Sequence, residues 1–257
     1  NKNTAQKFNF KHISEFDKEI GGRYSIWSRI SFAAAFFAMP ANHENAFDNF
    51  CLGGSIADSY ISGDEEYQKF VKMLAFSDIW LHNIKETNTR AILSYDWKLR
   101  SLPNYFQQLE MESLGKRPNE NSEFKKTGQI IFGGYGPTAQ HSYFQLLHQG
   151  TQNICADIIL NSQNKYDSLA YSQGINQAKL LSEGATTHLK DEEIINGNVP
   201  INLFIFDGID AKKLGFLIAT WEYRVFISSV MLQINPFDQF GVNAGKIYTK
   251  KYLADKD

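Results

Sequence analysis

The stretch Ile130-Ile131-Phe132-Gly133-Gly134-Tyr135-Gly136-Pro137-Thr138 decides the fold of this chain. Three residues that favour extended backbone run into glycines, which permit a tight turn, and Pro137 suits the first position of a helix starting near Thr138. A strand that hands over to a helix through such a turn is one βα unit. Outward from it the unit recurs. Arg90-Ala91-Ile92-Leu93-Ser94-Tyr95 leads into a helical pattern from Trp97 to Leu114, where Gly115 offers a C-cap. The runs Ile154 to Leu160 and Ile201 to Phe206 are each followed by a helix as well. Short apolar strands alternating with helices predict an α/β fold, a three-layer sandwich whose mainly parallel sheet is flanked by helices.

The flanks fit around this repeat. From Tyr24 to Met39 the apolar residues recur with helical spacing, and Pro40 stops them. Asn42 to Asn49 reads as a loop, with a second helix starting near its end. Ser62-Gly63-Asp64-Glu65 has the spacing of a capping box. The helix it opens carries Phe70, Val71, Met73, Leu74, Ile79 and Trp80 around its circumference, which predicts burial on all sides. Lys212 to Gln233 is helical by period, and a last helix runs from about Asp238. There is no internal repeat and no low-complexity segment.

Composition narrows the function. Of 257 residues 43% are hydrophobic and 21% charged, and a compact body of this size removes roughly 73% of its extended-chain surface from water. Disorder and small stapled scaffolds are excluded. With 26 basic and 28 acidic residues the chain lacks the basic excess of a nucleic-acid binder. The longest apolar run, Phe32 to Met39, is too short to span a bilayer. No signal peptide precedes Asn1, so the cytoplasm is the expected location. Cys51 and Cys155 permit one disulfide at most, sit in no metal-ligand spacing, and read as buried, inert thiols.

In open α/β sheets ligands bind beyond the carboxyl ends of strands, so polar residues following strands are the first candidates. Four segments stand out. Gly21-Gly22-Arg23-Tyr24-Ser25 combines close backbone approach with a delocalised cation at a helix start. In Gln107-Gln108-Leu109-Glu110-Met111-Glu112-Ser113-Leu114-Gly115-Lys116, residues Gln108 and Glu112 are four apart and share a helix face. Glu112 could act there as a general base, with Gln108 positioning a hydroxyl. In Gly133 to His141, His141 falls in the first turn of the expected helix, where the dipole favours a neutral imidazole. Finally, Gln239, Asn243 and Lys246 repeat at helical spacing near the C-terminal end. No GxGxxG with a downstream ribose acid and no Walker lysine is present.

In order and spacing, these segments resemble the C-terminal half of the glucose-6-phosphate isomerase (phosphoglucose isomerase) family. The resemblance rests on IGGRYSIWS, EMESLGK, TGQIIFGGYGPTAQHSYFQLLHQGTQ and INPFDQFGVNAGK, and matching segments span nearly all of residues 19 to 249. It implies a sugar-isomerase (SIS-type) α/β domain over residues 46–257, preceded by a connecting segment and helix over 1–45, without the N-terminal companion domain. It implies interconversion of glucose 6-phosphate and fructose 6-phosphate through a cis-enediol, within glycolysis and gluconeogenesis. Glu112 matches the base that carries the proton between C2 and C1. Arg23 matches the arginine that stabilises the enediolate, and His141 and Lys246 match the pair that opens the sugar ring. Gln108, Gln239 and Gly22 match substrate-contacting positions. The family uses no metal or organic cofactor and contributes the histidine across a homodimer interface.

The chain departs from the family at several places. Gly134-Tyr135 stands for glutamate-proline, Pro137-Thr138-Ala139 for a polar stretch, Asn243 for a glutamate, and Val199 for an arginine. The serine/threonine-rich phosphate loop of the family's N-terminal domain has no counterpart here. The expectation is therefore a C-terminal portion that is inactive alone. The alternative is a non-catalytic sugar-phosphate-binding SIS-type module.

Overall fold

The computed structural model describes residues 2–13, 15–17, 19–31, 45–163, 169–187 and 190–255. Four parallel strands, β1 (Thr89–Ser94), β2 (Ile130–Tyr135), β3 (Ile154–Asn161) and β4 (Ile201–Phe206), form one sheet in the order β2-β1-β3-β4. The register sets Thr89 beside Ile130 and Ile154, and Ala156 beside Ile201. The helices are α1 (Lys2–Lys7), α2 (Ala46–Gly63), α3 (Glu65–Asn83), α4 (Leu102–Leu114), α5 (Gly136–Gln140), α6 (Phe144–Gln149), α7 (Leu169–Glu183), α8 (Ala211–Leu232) and α9 (Phe240–Ala254). No described helix is long and apolar enough to cross a membrane.

Strand alternation builds the three layers. Ile92 and Ile159 point to one face, where Phe106 and Leu109 of α4, Leu217 and Trp221 of α8 and Ile79 of α3 close over them. Ala91, Leu93, Ala156, Ile158 and Leu160 point to the other, beneath Ala139 of α5, Leu147 of α6 and Leu181 of α7. The sandwich expected from the βα repeat is the observed one.

Local readings needed revision where sequence pattern and tertiary geometry compete. The glycines do not break the second strand, which runs through them to Tyr135. Gly133 pairs with Ile92 at φ +149°, and a Cβ there would lie 1.9 Å from the Ile92 carbonyl oxygen, so the strand requires its glycine. The helix after it starts at Gly136 and lasts one turn, leaving His141 at its C-terminal end rather than in a first turn. Trp97 to Leu114 is two pieces, a short 3-10 turn over Trp97–Leu99 capped by Asp96, then α4 with Pro103 in its first turn. Gly115 is the C-cap of α4.

At the start of α3 the cap is Asp64, whose carboxylate accepts from the Tyr67 amide at 2.8 Å, while Ser62 donates to Asp58 within α2. The same helix is not buried all round. Val71, Leu74, Ala75 and Ile79 face the core, whereas Phe70, Met73, Phe76 and Trp80 lie outward. α2 begins at Ala46, so the expected loop is shorter than read. The helix expected from Tyr24 is instead a 3-10 turn over Gly22–Trp27 that ends in extended backbone at Ser28; the course beyond Ser31, the stop at Pro40 and the start of the loop at Asn42 lie outside the described residues. Both cysteines are free, but only Cys155 is buried, and its thiol is pushed up to about 12, mainly by burial. Cys51 is half-buried, which corrects the reading of two buried thiols.

Candidate functional site

The site is built where the C-terminal end of α4 meets the 3-10 turn Gly22–Trp27 and the loop ahead of α9. Glu112 lies in the last turn of α4, and Gln108, one turn back, donates to its carboxylate at 3.1 Å. The helical spacing of the two residues therefore has its expected consequence. Arg23 enters from the turn with its side chain buried, and its guanidinium is fully engaged. Nε donates to Ser113 Oγ at 2.7 Å, Nη1 to Gln239 Oε1 at 2.8 Å, and Nη2 to the carbonyls of Pro236 and Asp238. The remaining Nη1 contact is the carboxylate of Glu112, 3.4 Å away. Five N–H groups thus face five acceptors, which holds the planar cation in one orientation.

Residues that sequence reasoning left without a role complete the frame. Lys116 donates to the Glu112 carbonyl at 2.8 Å and to the Asp238 carbonyl, and pairs with the Asp238 carboxylate at 3.0 Å. It ties the end of α4 to the loop that carries Gln239. Tyr24 shares its hydroxyl with Ser113 at 2.9 Å, and burial raises its pKa against that hydrogen bond and the nearby Arg23. Glu112, Gln239, Lys116 and Asp238 line an open cavity of about 870 Å³. Lys116 and Ser113 stand within the EMESLGK stretch, so proximity to Glu112 was the available signal.

Not every candidate converges there. Lys246 is exposed on α9, seven residues beyond Gln239 and therefore roughly 10 Å along the helix axis. Gly22 opens the Arg23 turn, with nothing within 4 Å of where a Cβ would stand. His141 is exposed at the opposite end of the sheet. Gln140 beside it donates to Tyr95, which follows the carboxyl end of β1. Glu112 sits instead at the amino end of the strands, since Gly115 packs on Gly128, two residues before β2. The expectation that the site gathers beyond the carboxyl ends is corrected for this cluster. The cause is that α4 runs antiparallel to the strands, so its last turn returns to their start. A strand of this length separates the two ends by roughly 20 Å.

Under the sheet lies a second charged cluster that sequence reading missed. Arg224 of α8 donates to both oxygens of Asp78 at 2.6 Å and to Asp157 at 2.9 Å, and Arg90 reaches Asp78, Glu110 and Asp157. Burial pushes Asp157 up, but Arg224 and Arg90 outweigh it and hold the carboxyl below the usual range. The cluster joins β1 and β3 to α3, α4 and α8. The charges stand inside apolar runs, a signal that can be read only once the face they share is known. Among the described residues no group of three His, Cys, Asp or Glu is placed to hold a metal ion.

The comparisons with known proteins concern the family and the fold. The family model described as phosphoglucose isomerase matches residues 1–256. Glucose-6-phosphate isomerases of Hydrogenovibrio crunogenus and Novosphingobium aromaticivorans are each 36% identical to the chain, covering 93% of it and 48% of their own length. The chain thus spans about half the length of these relatives. Among solved structures, a glucose-6-phosphate isomerase from Chlamydia trachomatis superposes with a TM-score of 0.87 at 24% identity, over 97% of this chain and 50% of that one. A hypothetical protein from Thermus thermophilus gives 0.74 at 20% identity, over 98% and 60%. At those identities the structures establish the shared fold.

Proposed function

Because this chain belongs to the phosphoglucose isomerase family, we propose that it carries the proton-transfer centre of a glucose-6-phosphate isomerase. The single observation that carries the reading is the meeting of Arg23 and Gln108 at Glu112, with Gln239 bound to the same guanidinium.

The reaction moves a carbon-bound proton. The Glu112 carboxylate takes it from C2 of glucose 6-phosphate, and the C2–H electron pair forms the C1–C2 double bond of a cis-enediol(ate). The C1 carbonyl electron pair moves onto O1, the O2 hydroxyl proton passes to O1, and the same carboxyl group returns the carbon-bound proton to C1 as C2–O2 becomes the carbonyl of fructose 6-phosphate. Negative charge on the enediolate is stabilised through space by the guanidinium of Arg23, whose donors are engaged by protein acceptors and whose orientation is set before substrate arrives. Gln108 and Gln239 hold hydroxyl groups beside the base, and Gly22 leaves room for the substrate near Arg23. Ring opening is assigned to His141 and Lys246. The placement of His141 at the far end of the sheet from Glu112 supports its service to the site of a second subunit in a homodimer. Residues 1–45 are the connecting segment, residues 46–257 the SIS-type domain, and the cytoplasm the working compartment.

A coupled assay of fructose 6-phosphate conversion tests the reading. The chain alone is expected to turn over little substrate, since it contains no serine/threonine-rich phosphate loop. A longer protein that contains it is expected to be active. A longer protein with no isomerase activity would overturn the function, and full activity of the isolated chain would overturn the shared site.

A further inference from the structure

Behind Arg23 lies a half-buried acid that the proposed chemistry does not use. Glu222 of α8 accepts from the Trp27 indole Nε1–H at 2.7 Å, and its other oxygen lies 3.0 Å from the Tyr105 hydroxyl. The same hydroxyl lies 3.0 Å from the backbone carbonyl of Arg23. Trp27 ends the 3-10 turn that carries Arg23, and Tyr105 belongs to α4, which carries Glu112. One carboxyl group therefore joins the two segments of the site to α8.

The count of hydrogens makes this junction conditional. A phenol has one proton to donate, and here two acceptors compete for it. If Glu222 carries a proton, it donates to the Tyr105 oxygen, and Tyr105 in turn donates to the Arg23 carbonyl. All three contacts are then satisfied. If Glu222 is ionised, the charge-assisted bond to the carboxylate is the stronger one, and the Tyr105 proton leaves the Arg23 carbonyl.

We propose that Glu222 is a positioning residue for Arg23, acting through the Tyr105 hydroxyl and the Trp27 indole, and that its proton determines whether the Tyr105 hydroxyl holds the Arg23 backbone carbonyl. The surroundings suit this role. Burial pushes Glu222 up to about 7, against the hydrogen bonds from Trp27 and Tyr105, with Asp58 of α2 adding to the rise. Burial also keeps Tyr105 protonated, far above its ordinary range. Tyr24 on the turn and Tyr223 on α8 are the other titratable groups that feel Glu222, and both are raised phenols. Tyr223 donates to Asp58 at 2.7 Å. Among the described residues no lysine or arginine pairs with Glu222.

The consequence for catalysis rests on the isomerase reading of Arg23, but the switch itself is measurable without any activity. The Trp27 indole ¹H–¹⁵N resonance, assigned with Trp27→Phe, is followed by NMR from about pH 5.5 to 8.5, bracketing the range in which a raised carboxyl titrates. It is expected to shift with a midpoint near pH 7 and to stay fixed in Glu222→Gln. The Arg23 Nε–H resonance is expected to follow the same midpoint in the wild type and to lose that response in Tyr105→Phe, where Trp27 still titrates. A Trp27 resonance that is flat in the folded wild type would overturn the proposal. So would an Arg23 response that survives Tyr105→Phe. Absence of isomerase activity would overturn only the functional reading.

Discussion

At the scale of single residues, Glu112 and Arg23 divide one task. A carboxylate that removes a proton from carbon must be aimed, and the enediolate it creates needs a cation already in place. We predict that Glu112→Gln in the active enzyme lowers turnover by roughly 10²–10⁴, read in the coupled assay. Undiminished turnover would remove Glu112 from the role of base. Arg23→Lys keeps the charge but offers three donors on a flexible stem in place of a five-donor fork. Buried acceptors lose their partners, each at about 1–3 kcal/mol, so chemical denaturation should report a lower midpoint together with the drop in turnover. Glu112, Gln108 and Gln239 were legible because their spacing puts polar groups on defined faces. Ser113 and Lys116 lay within the same motif, yet Ser113 works on Arg23 and Tyr24, 90 and 89 positions earlier, and Lys116 on Asp238, 122 positions later.

At the scale of elements, caps and registers set the limits of what the pattern conveys. The boundary between α2 and α3 contains both a serine and an aspartate able to cap, and only backbone geometry selects Asp64. Asp64→Ala is expected to cost about 1 kcal/mol in urea unfolding, whereas Ser62→Ala should cost far less. The α8 helix carries a pH dependence. Glu222 holds its proton more tightly folded than unfolded, so its contribution is fully present below its ordinary carboxylate range and is lost as pH rises through about 7. The loss is on the order of 3 kcal/mol, since each tenfold gain in proton affinity on folding corresponds to about 1.4 kcal/mol. Thermal unfolding measured at pH 5 and pH 8 should therefore show a larger difference for the wild type than for Glu222→Gln. Equal differences would remove Glu222 as the source. The long helices and all four strands were visible in the period of apolar residues. The glycine-bearing end of β2 was not, because Gly133 reads as a turn signal until its pairing with Ile92 is known.

At the scale of the whole molecule, the sheet separates what the motifs suggested should meet. Glu112 lies at the amino end of the strands and His141 at the carboxyl end, so a site containing both calls for two copies. A closed twofold assembly makes that testable by complementation. Glu112→Gln and His141→Ala enzymes, each inactive, are mixed under conditions of subunit exchange. Half the dimers become hybrids with one intact site in two, so recovery of about a quarter of wild-type activity is expected. No recovery would place both residues in the same subunit's site. The buried cluster is the other property of the assembled fold. It places Arg90 and Arg224 among Asp78, Glu110 and Asp157.

The sequence by itself determined the α/β repeat, the parallel sheet, the family and most residues of the candidate centre. Each of these follows from local spacing or from a contiguous motif. Tertiary structure alone decided which candidates converge, how Arg23 is saturated and oriented, and where the buried charges find their partners. Those outcomes depend on the antiparallel return of α4 and on contacts between segments far apart in the chain. A linear pattern specifies which face a side chain occupies, whereas its neighbours across the fold are fixed only by packing.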